Sequence, residues 1–226
     1  MKRKRARCVY CGEVRETTDE HVVPKGLYSK DHRVVIPCCE PCNNAKARDD
    51  EYFRLVFAAL LESKGHPVAQ QVLEKVKRSL QNPNQARYRE MIVRSANNIE
   101  VCDSAGDTVK RTGLDVEINR VNKTLEFITR ALLYLETGAY LPEDYTVVST
   151  FGKEEDTEAG SDILNRIRAT LADTRWKEVG EDEVFKYRYA IIEDAPRTVW
   201  EMEIYRGVRI VTIVSKTSPP ESKKNT

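Results

Sequence analysis

No run in the 226 residues approaches the roughly 18 consecutive apolar residues of a membrane-spanning helix. The basic start, Met1-Lys2-Arg3-Lys4-Arg5-Ala6-Arg7, lacks the apolar stretch of a secretory signal, so the cytoplasm is the expected compartment. Glycine and proline are sparse, at 10 and 9 residues, and hydrophobic residues reach 40%. These values exclude collagen-like and wholly disordered chains. The sequence shows no internal repeat, and its length suits one compact domain or a small domain fused to a second.

Net charge is also nearly absent, at +1, but the balance is uneven along the chain. Residues 1–97 carry 19 Lys and Arg against 12 Asp and Glu, while residues 98–226 carry 18 against 24. A basic first part suits a polyanion such as nucleic acid, and an acidic second part is repelled by one. The charge pattern predicts a division near residue 97, with residues 1–97 forming one domain, 98–218 a second, acidic domain and 219–226 a disordered tail.

Six cysteines in a reducing compartment are poor disulfide candidates. Four have metal-ligand spacing. Cys8-Val9-Tyr10-Cys11 and Cys39-Glu40-Pro41-Cys42 are C-x-x-C pairs about 30 residues apart, the pattern of a closed tetrahedral site holding a structural Zn²⁺. Pairing Cys38 with Cys42 would break that spacing, so Cys39 is the preferred ligand. Cys38 is left over, and Cys102, in a strand-like stretch, is expected to be buried packing.

Hydrophobic periodicity predicts an α+β chain. Around the cysteines the order is strand, loop, strand, helix. The helix is read from Asn44, with Tyr52, Phe53, Val56, Phe57 and Leu60 on its apolar face and a stop at Gly65-His66-Pro67, where His66 is a turn residue. A helix with Val68, Val72, Val76 and Leu80 follows, then another over 83–96 with Tyr88, Met91 and Ile92. Their polar faces carry Lys75, Arg78, Arg87 and Arg94, either a solvated surface or a set of phosphate contacts. The second part predicts a hairpin over 99–110 turning at 104–107, and a helix with Val121, Leu125, Ile128, Leu132 and Leu135 buried and Gly138 as cap. An acidic loop over 151–160 and a helix with Ile163, Leu164 and Ile167 come next. Three antiparallel strands, 184–192, 198–205 and 208–214, close the chain, the last two joined at Arg206-Gly207.

Between the knuckles lies Asp19-Glu20-His21-Val22-Val23-Pro24-Lys25, and Asn43-Asn44-Ala45-Lys46 follows the second knuckle. Over residues 8–53 these features resemble the HNH endonuclease family. The resemblance implies a zinc-stabilised ββα-metal unit followed by helices, in which His21 is the general base that deprotonates the attacking water. It also implies that Glu20, where the family usually has Asp, and Asn43 hold a catalytic Mg²⁺ or Mn²⁺, with Asp19 as the fallback ligand. His32 falls near the family's middle position, where bracing the loop or lying exposed is favoured over ligation. Lys46 is then a contact to the scissile-region phosphate, or else a solvated lysine. The run Asp49-Asp50-Glu51-Tyr52-Phe53 looks like that of a bacterial subgroup of the family.

Two functions are therefore expected to compete. The first is a metal-dependent endonuclease that cleaves DNA, a setting that by domain analogy suggests restriction or phage defence. The second is a non-catalytic zinc module that grips nucleic acid without cutting it. The charge of the acidic part suggests protein contact, self-association or control of the nuclease.

Overall fold

The structure, a computed structural model, describes residues 4–30, 32, 34–60, 63–102, 106–150, 158–194 and 196–217. It is α+β with antiparallel sheets. The expected turn residues 104 and 105, the acidic loop up to 157, the side chain of Ile163 and the tail from 219 lie outside what is described.

The first unit begins with β1 (Lys4–Arg7), β2 (Val14–His21) and β3 (Val35–Cys39), a sheet in the order β1-β2-β3, and continues into α1 (Glu40–Ala59). Part of the basic tail is therefore a strand, pairing Lys4 with Thr17 and Arg7 with Val14. In the β2–β3 register Glu20 stands opposite Ile36 and His21 opposite Val35. Helix α1 starts four residues earlier than the periodicity predicts, because Pro41 at the first turn suits a helix start. Two helices follow, α2 (Pro67–Leu80), which starts at a proline, and α3 (Ala86–Ser95), preceded by a 3-10 turn at Pro83–Gln85.

The ribbon β4 (Ala96–Cys102) with β5 (Thr108–Leu114) is longer than expected at both ends and mostly exposed. Cys102 is exposed accordingly, against the expectation of burial. Helix α4 (Ile118–Thr137) ends at Gly138, whose φ of 70° is left-handed, as a helix-capping glycine requires. A five-stranded sheet then forms in the order β6-β10-β9-β8-β7, from β6 (Tyr145–Thr150), β7 (Lys177–Glu178), β8 (Phe185–Ile191), β9 (Thr198–Ile204) and β10 (Val208–Lys216). Helix α5 (Glu158–Thr170) precedes β7. Strands β6 and β7, of six and two residues, add to the three strands that the sequence pattern predicts.

This sheet is covered on both faces. Trp200, Met202, Ile204, Val208, Ile210 and Val214 join the large core, while Val199 and Val211 pack with Leu164, Ile167 and Leu171 of the α5 region. The alternation along β9 and β10 is the period of two expected of a strand between layers. Helix α4 lies between α1 and the sheet, touching β6, and Thr129, whose hydroxyl donates to the Leu125 carbonyl, accepts from the Thr212 hydroxyl of β10 at 3.0 Å. Val121, Leu125, Ile128 and Leu132 are buried as expected, but so are Thr124, Ala131 and Leu133, because the helix has neighbours on two sides. Leu135 lies outside that wide stripe and is exposed.

The charge boundary near 97 falls between α3 and β4, and the apolar core crosses it. Phe53 and Phe57 belong to the same buried cluster as Leu125, Phe185 and Trp200. Tyr10 meets Phe127 edge-on at 4.8 Å. Tyr28 Oη donates to the Val179 carbonyl at 2.6 Å, and Tyr205 Oη donates to the Leu27 carbonyl at 2.7 Å. His66, at the N-cap of α2, donates through Nε2 to the Asp182 carbonyl at 3.0 Å, so the turn residue also ties the two segments. At Gly180 a Cβ would come within 2.7 Å of the Tyr28 ring, and φ is +80°, so both space and backbone conformation call for glycine.

The ion pairs across the boundary invert the bulk charge pattern. Asp49 of the basic segment is held by Arg120 and Lys123 of the acidic one, each at 2.9 Å. Burial alone would raise the Asp49 pKa, but the hydrogen bonds from Lys123 and Arg120 overcome it and hold the carboxyl below its ordinary value. A depressed native pKa contributes stability that is complete above the unfolded value, about 3.9, and is lost as pH falls through the native value. Asp49→Asn should therefore flatten the decline in stability below about pH 4, read by denaturant titrations across pH. Because one core spans both segments, Leu125→Ala should cost about 2–5 kcal/mol. It should also shift helix loss, read by circular dichroism, and loss of the N-terminal fold, read by metal release, by the same temperature interval.

Candidate functional site

The first C-x-x-C pair occupies the turn between β1 and β2. Its backbone curls back through a bond from the Gly12 N–H to the Cys8 carbonyl at 2.9 Å, and Gly12 takes the left-handed φ of 71° that this turn demands. The second pair straddles the end of β3 and the first turn of α1. The sulfurs of Cys8, Cys11, Cys39 and Cys42 all lie within 4.8 Å of one another.

A tetrahedral zinc with Zn–S bonds of about 2.3 Å requires sulfurs about 3.8 Å apart. Cys11 and Cys39 are separated by 3.8 Å. The Cys39 N–H also points at Cys8 Sγ, at 3.4 Å, a bond that stabilises negative charge on a ligating sulfur. The four residues thus fit a metal such as zinc. Cys38, one position earlier on β3, is buried behind the cluster. Its thiol, pushed up by the hydrogen bond with Cys8 and by burial, stays protonated, and that same bond lowers Cys8 to about 3. The Cys38 S–H donates to the Cys39 carbonyl at 3.3 Å, so Cys38 packs against the cluster rather than belonging to it.

The other side of the β2–α1 pair forms a cleft of about 380 Å³ lined by Glu20, His21, Asn43, Asp50 and Arg54, among others. Asn43, Ala47, Asp50, Glu51 and Arg54 recur at helical spacing, so one face of α1 supplies half of its wall. The end of β2 and the turn after it supply the rest, with Lys25 and Gly26 in a 3-10 turn at Lys25–Leu27. Glu20, His21 and Asn43 are thereby brought together. Asp19 is exposed and does not line the cleft.

His32 is 6% exposed. Its Nε2–H donates to the Val23 carbonyl at 3.2 Å, and its ring meets His21 edge-on at 4.7 Å between centroids and Tyr28 at 4.4 Å. Of the roles weighed for it, bracing is the one this geometry provides. The brace is itself anchored, because Tyr28 is bonded to Val179 of the second segment.

Lys46 departs from expectation. It is neither a surface phosphate contact nor solvated, being only 2% exposed. Its Nζ lies 2.8 Å from Glu20 Oε1 and pairs with Asp50 one turn along the helix. Helical spacing turns Lys46 toward β2, where burial alone would lower its pKa, but the carboxylates of Asp50 and Glu20 reverse the shift and keep it charged. Asp50 is shifted upward as well, by burial, which outweighs the attraction of the Lys46 ammonium. The oxygen donors that the cleft presents are therefore the Glu20 carboxylate, already held by an ammonium, the Asn43 amide, and Asp50, which the sequence reading did not include and whose Oδ1 is buried with no hydrogen-bond partner. Such an all-oxygen donor set suits a hard divalent cation.

The sequence reading missed Asp50, Arg54 and Lys25 as wall residues. The helical spacing from Asn43 was available to find the first two, whereas nothing local marks Lys25. Compared with known proteins, the chain matches no family model, no curated protein and no solved structure.

If the cluster binds zinc, purified protein should carry about one zinc per chain, and Cys39→Ala should lose it together with part of the N-terminal fold. Cys38→Ser and Cys102→Ser should keep the metal. Metal analysis by mass spectrometry decides, and a folded wild type free of zinc would refute the assignment.

Proposed function

We propose that the chain is a metal-dependent endonuclease of the HNH type that hydrolyses DNA phosphodiester bonds. The observation that carries this reading is the position of His21, on the same cleft as Glu20 and Asn43, with its ring fixed edge-on by His32. A module that only grips nucleic acid has no need of an imidazole beside oxygen donors.

In this reading the His21 ring accepts the proton of the attacking water, the water oxygen bonds to phosphorus, and the P–O3′ bond breaks. Imidazole is suited to the task, because a neutral ring carries a nitrogen lone pair that can accept a proton and a second nitrogen that can be held by a neighbour. His32 restricts the ring to one orientation, which lowers the entropy cost of reaching the reactive geometry. Lys46 holds the Glu20 carboxylate in place through their ion pair. A Mg²⁺ or Mn²⁺ held by Glu20 and Asn43 would, when bound, stabilise charge on the phosphate and on the leaving oxygen. The exposed Lys75, Arg78, Arg87 and Arg94 on α2 and α3 offer further cations for the DNA backbone. A cytoplasmic role in restriction or phage defence is consistent with such an activity and rests on analogy alone.

The test is plasmid cleavage by the full chain with Mg²⁺, Mn²⁺ or neither. His21→Ala removes no zinc ligand, so zinc content and DNA affinity should persist while cleavage falls by about a hundredfold or more. Added metal should not restore it, since the missing function is proton transfer. Glu20→Gln should also cut slowly, but with partial recovery at higher Mn²⁺. Equal rates for wild type and His21→Ala under every ion would leave a zinc-held binding module as the better description.

A further inference from the structure

With Lys46 sequestered, the cleft retains two cationic side chains in its wall, Lys25 and Arg54. Their settings differ. Lys25 is exposed at the start of the turn, whereas the Arg54 side chain is 24% exposed and lies across Gly26. A Cβ added at Gly26 would stand 2.7 Å from Arg54 Cδ and 3.5 Å from both Nε and Nη1. Gly26 has no left-handed φ, so backbone conformation does not call for glycine there. What the missing side chain provides is a seat for the arginine.

The guanidinium is seated but poorly satisfied. Its hydrogen bond to Glu51, from Nη2 to Oε1, is 3.5 Å long, at the outer limit of such a bond. Nε is buried and has no hydrogen-bond partner. With Nε covered, the terminal Nη1 and Nη2 edge of the guanidinium, held only by that one long bond, is the part suited to an oxyanion that can accept two bonds at once. Glu51 and Asp50 nearby would repel a carboxylate or phosphate held by charge alone, so the fork geometry matters more here than a point charge.

We infer that Arg54, seated on Gly26, grips a backbone phosphate of DNA beside the bond that faces His21. The inference rests on the nuclease reading for its ligand, and it gives the cleft the anion-binding part that Lys46 does not supply. Gly26 acts as a positioning residue, since its only contribution is the space that fixes the guanidinium.

The experiment measures binding of a fluorescent DNA duplex to the full-length His21→Ala protein, at several salt concentrations and without added divalent ion. Adding Arg54→Ala should weaken binding about tenfold and reduce the salt slope by about one phosphate contact. Arg54→Lys should recover only part of the affinity, because an ammonium lacks the fork. Gly26→Ala leaves the charge in place yet displaces it, so it should weaken binding alone but add nothing once Arg54 is already Ala. Zinc content and circular dichroism should match the parent throughout, and should Arg54→Ala misfold, Gly26→Ala carries the test.

Unchanged affinity and salt slope in Arg54→Ala, no DNA binding by the parent, or a full additional loss from Gly26→Ala in the Arg54→Ala background would each overturn the inference. Cleavage by the otherwise unmodified chain separates the two readings. Should that chain cut DNA while Arg54→Ala binds and cuts equally well, the grip is wrong and the nuclease stands. Should it cut nothing while Arg54→Ala loses binding, the grip stands and the nuclease reading falls.

Discussion

Four cysteine sulfurs within 4.8 Å of one another are a severe demand on a chain. Without a cation they bring together groups whose ionised forms repel, and with one they become a four-way covalent-strength tie. The tie joins the β1–β2 turn to the β3–α1 corner, so it sets where α1 begins and which of its faces meets β2. Asn43 follows the last of the four cysteines directly, and the spacing along the helix then places Asp50 and Arg54. Much of the cleft geometry follows from this corner.

A second tie lies on the opposite side of the β2–α1 pair, between Lys46, Glu20 and Asp50. Burying three ionisable groups together makes a poor general stabiliser, because desolvation offsets most of the attraction. It does impose a register, since sliding α1 by one turn would strand an ammonium in the interior. The two ties restrict α1 from both its start and its middle, and the polar cleft can be maintained between them without an apolar floor of its own.

Local regularities carried much of this into the sequence. The knuckle spacing identifies the four sulfurs over the competing Cys38, and the apolar stripes of α1, α2 and α4 identify most of the core. What was hidden depends on residues far apart in the chain. Lys46 reads as a surface lysine until Glu20, 26 positions earlier, is seen beside it. Arg54 over Gly26 leaves no trace in any periodicity. The charge asymmetry marks a division near residue 97, and apolar contact through α4 spans that division, because a net charge reports on the surface while cohesion lies in the interior. The second segment also holds the loop that carries Leu27, Tyr28 and His32, so one of its effects is to support the brace behind His21.

The β4–β5 ribbon stands apart from this economy. Its entry and exit are already joined, since the Asp115 N–H donates to the Ser95 carbonyl at 2.8 Å and Asn97 bonds the Asp115 carboxylate. Few of its side chains are buried, so its length is coupled to nothing in the interior. In evolutionary terms it is a graft point: an excursion that can grow, shrink or be exchanged for another peptide while the closure at its base stays intact and the entropy cost rises only slowly with loop length.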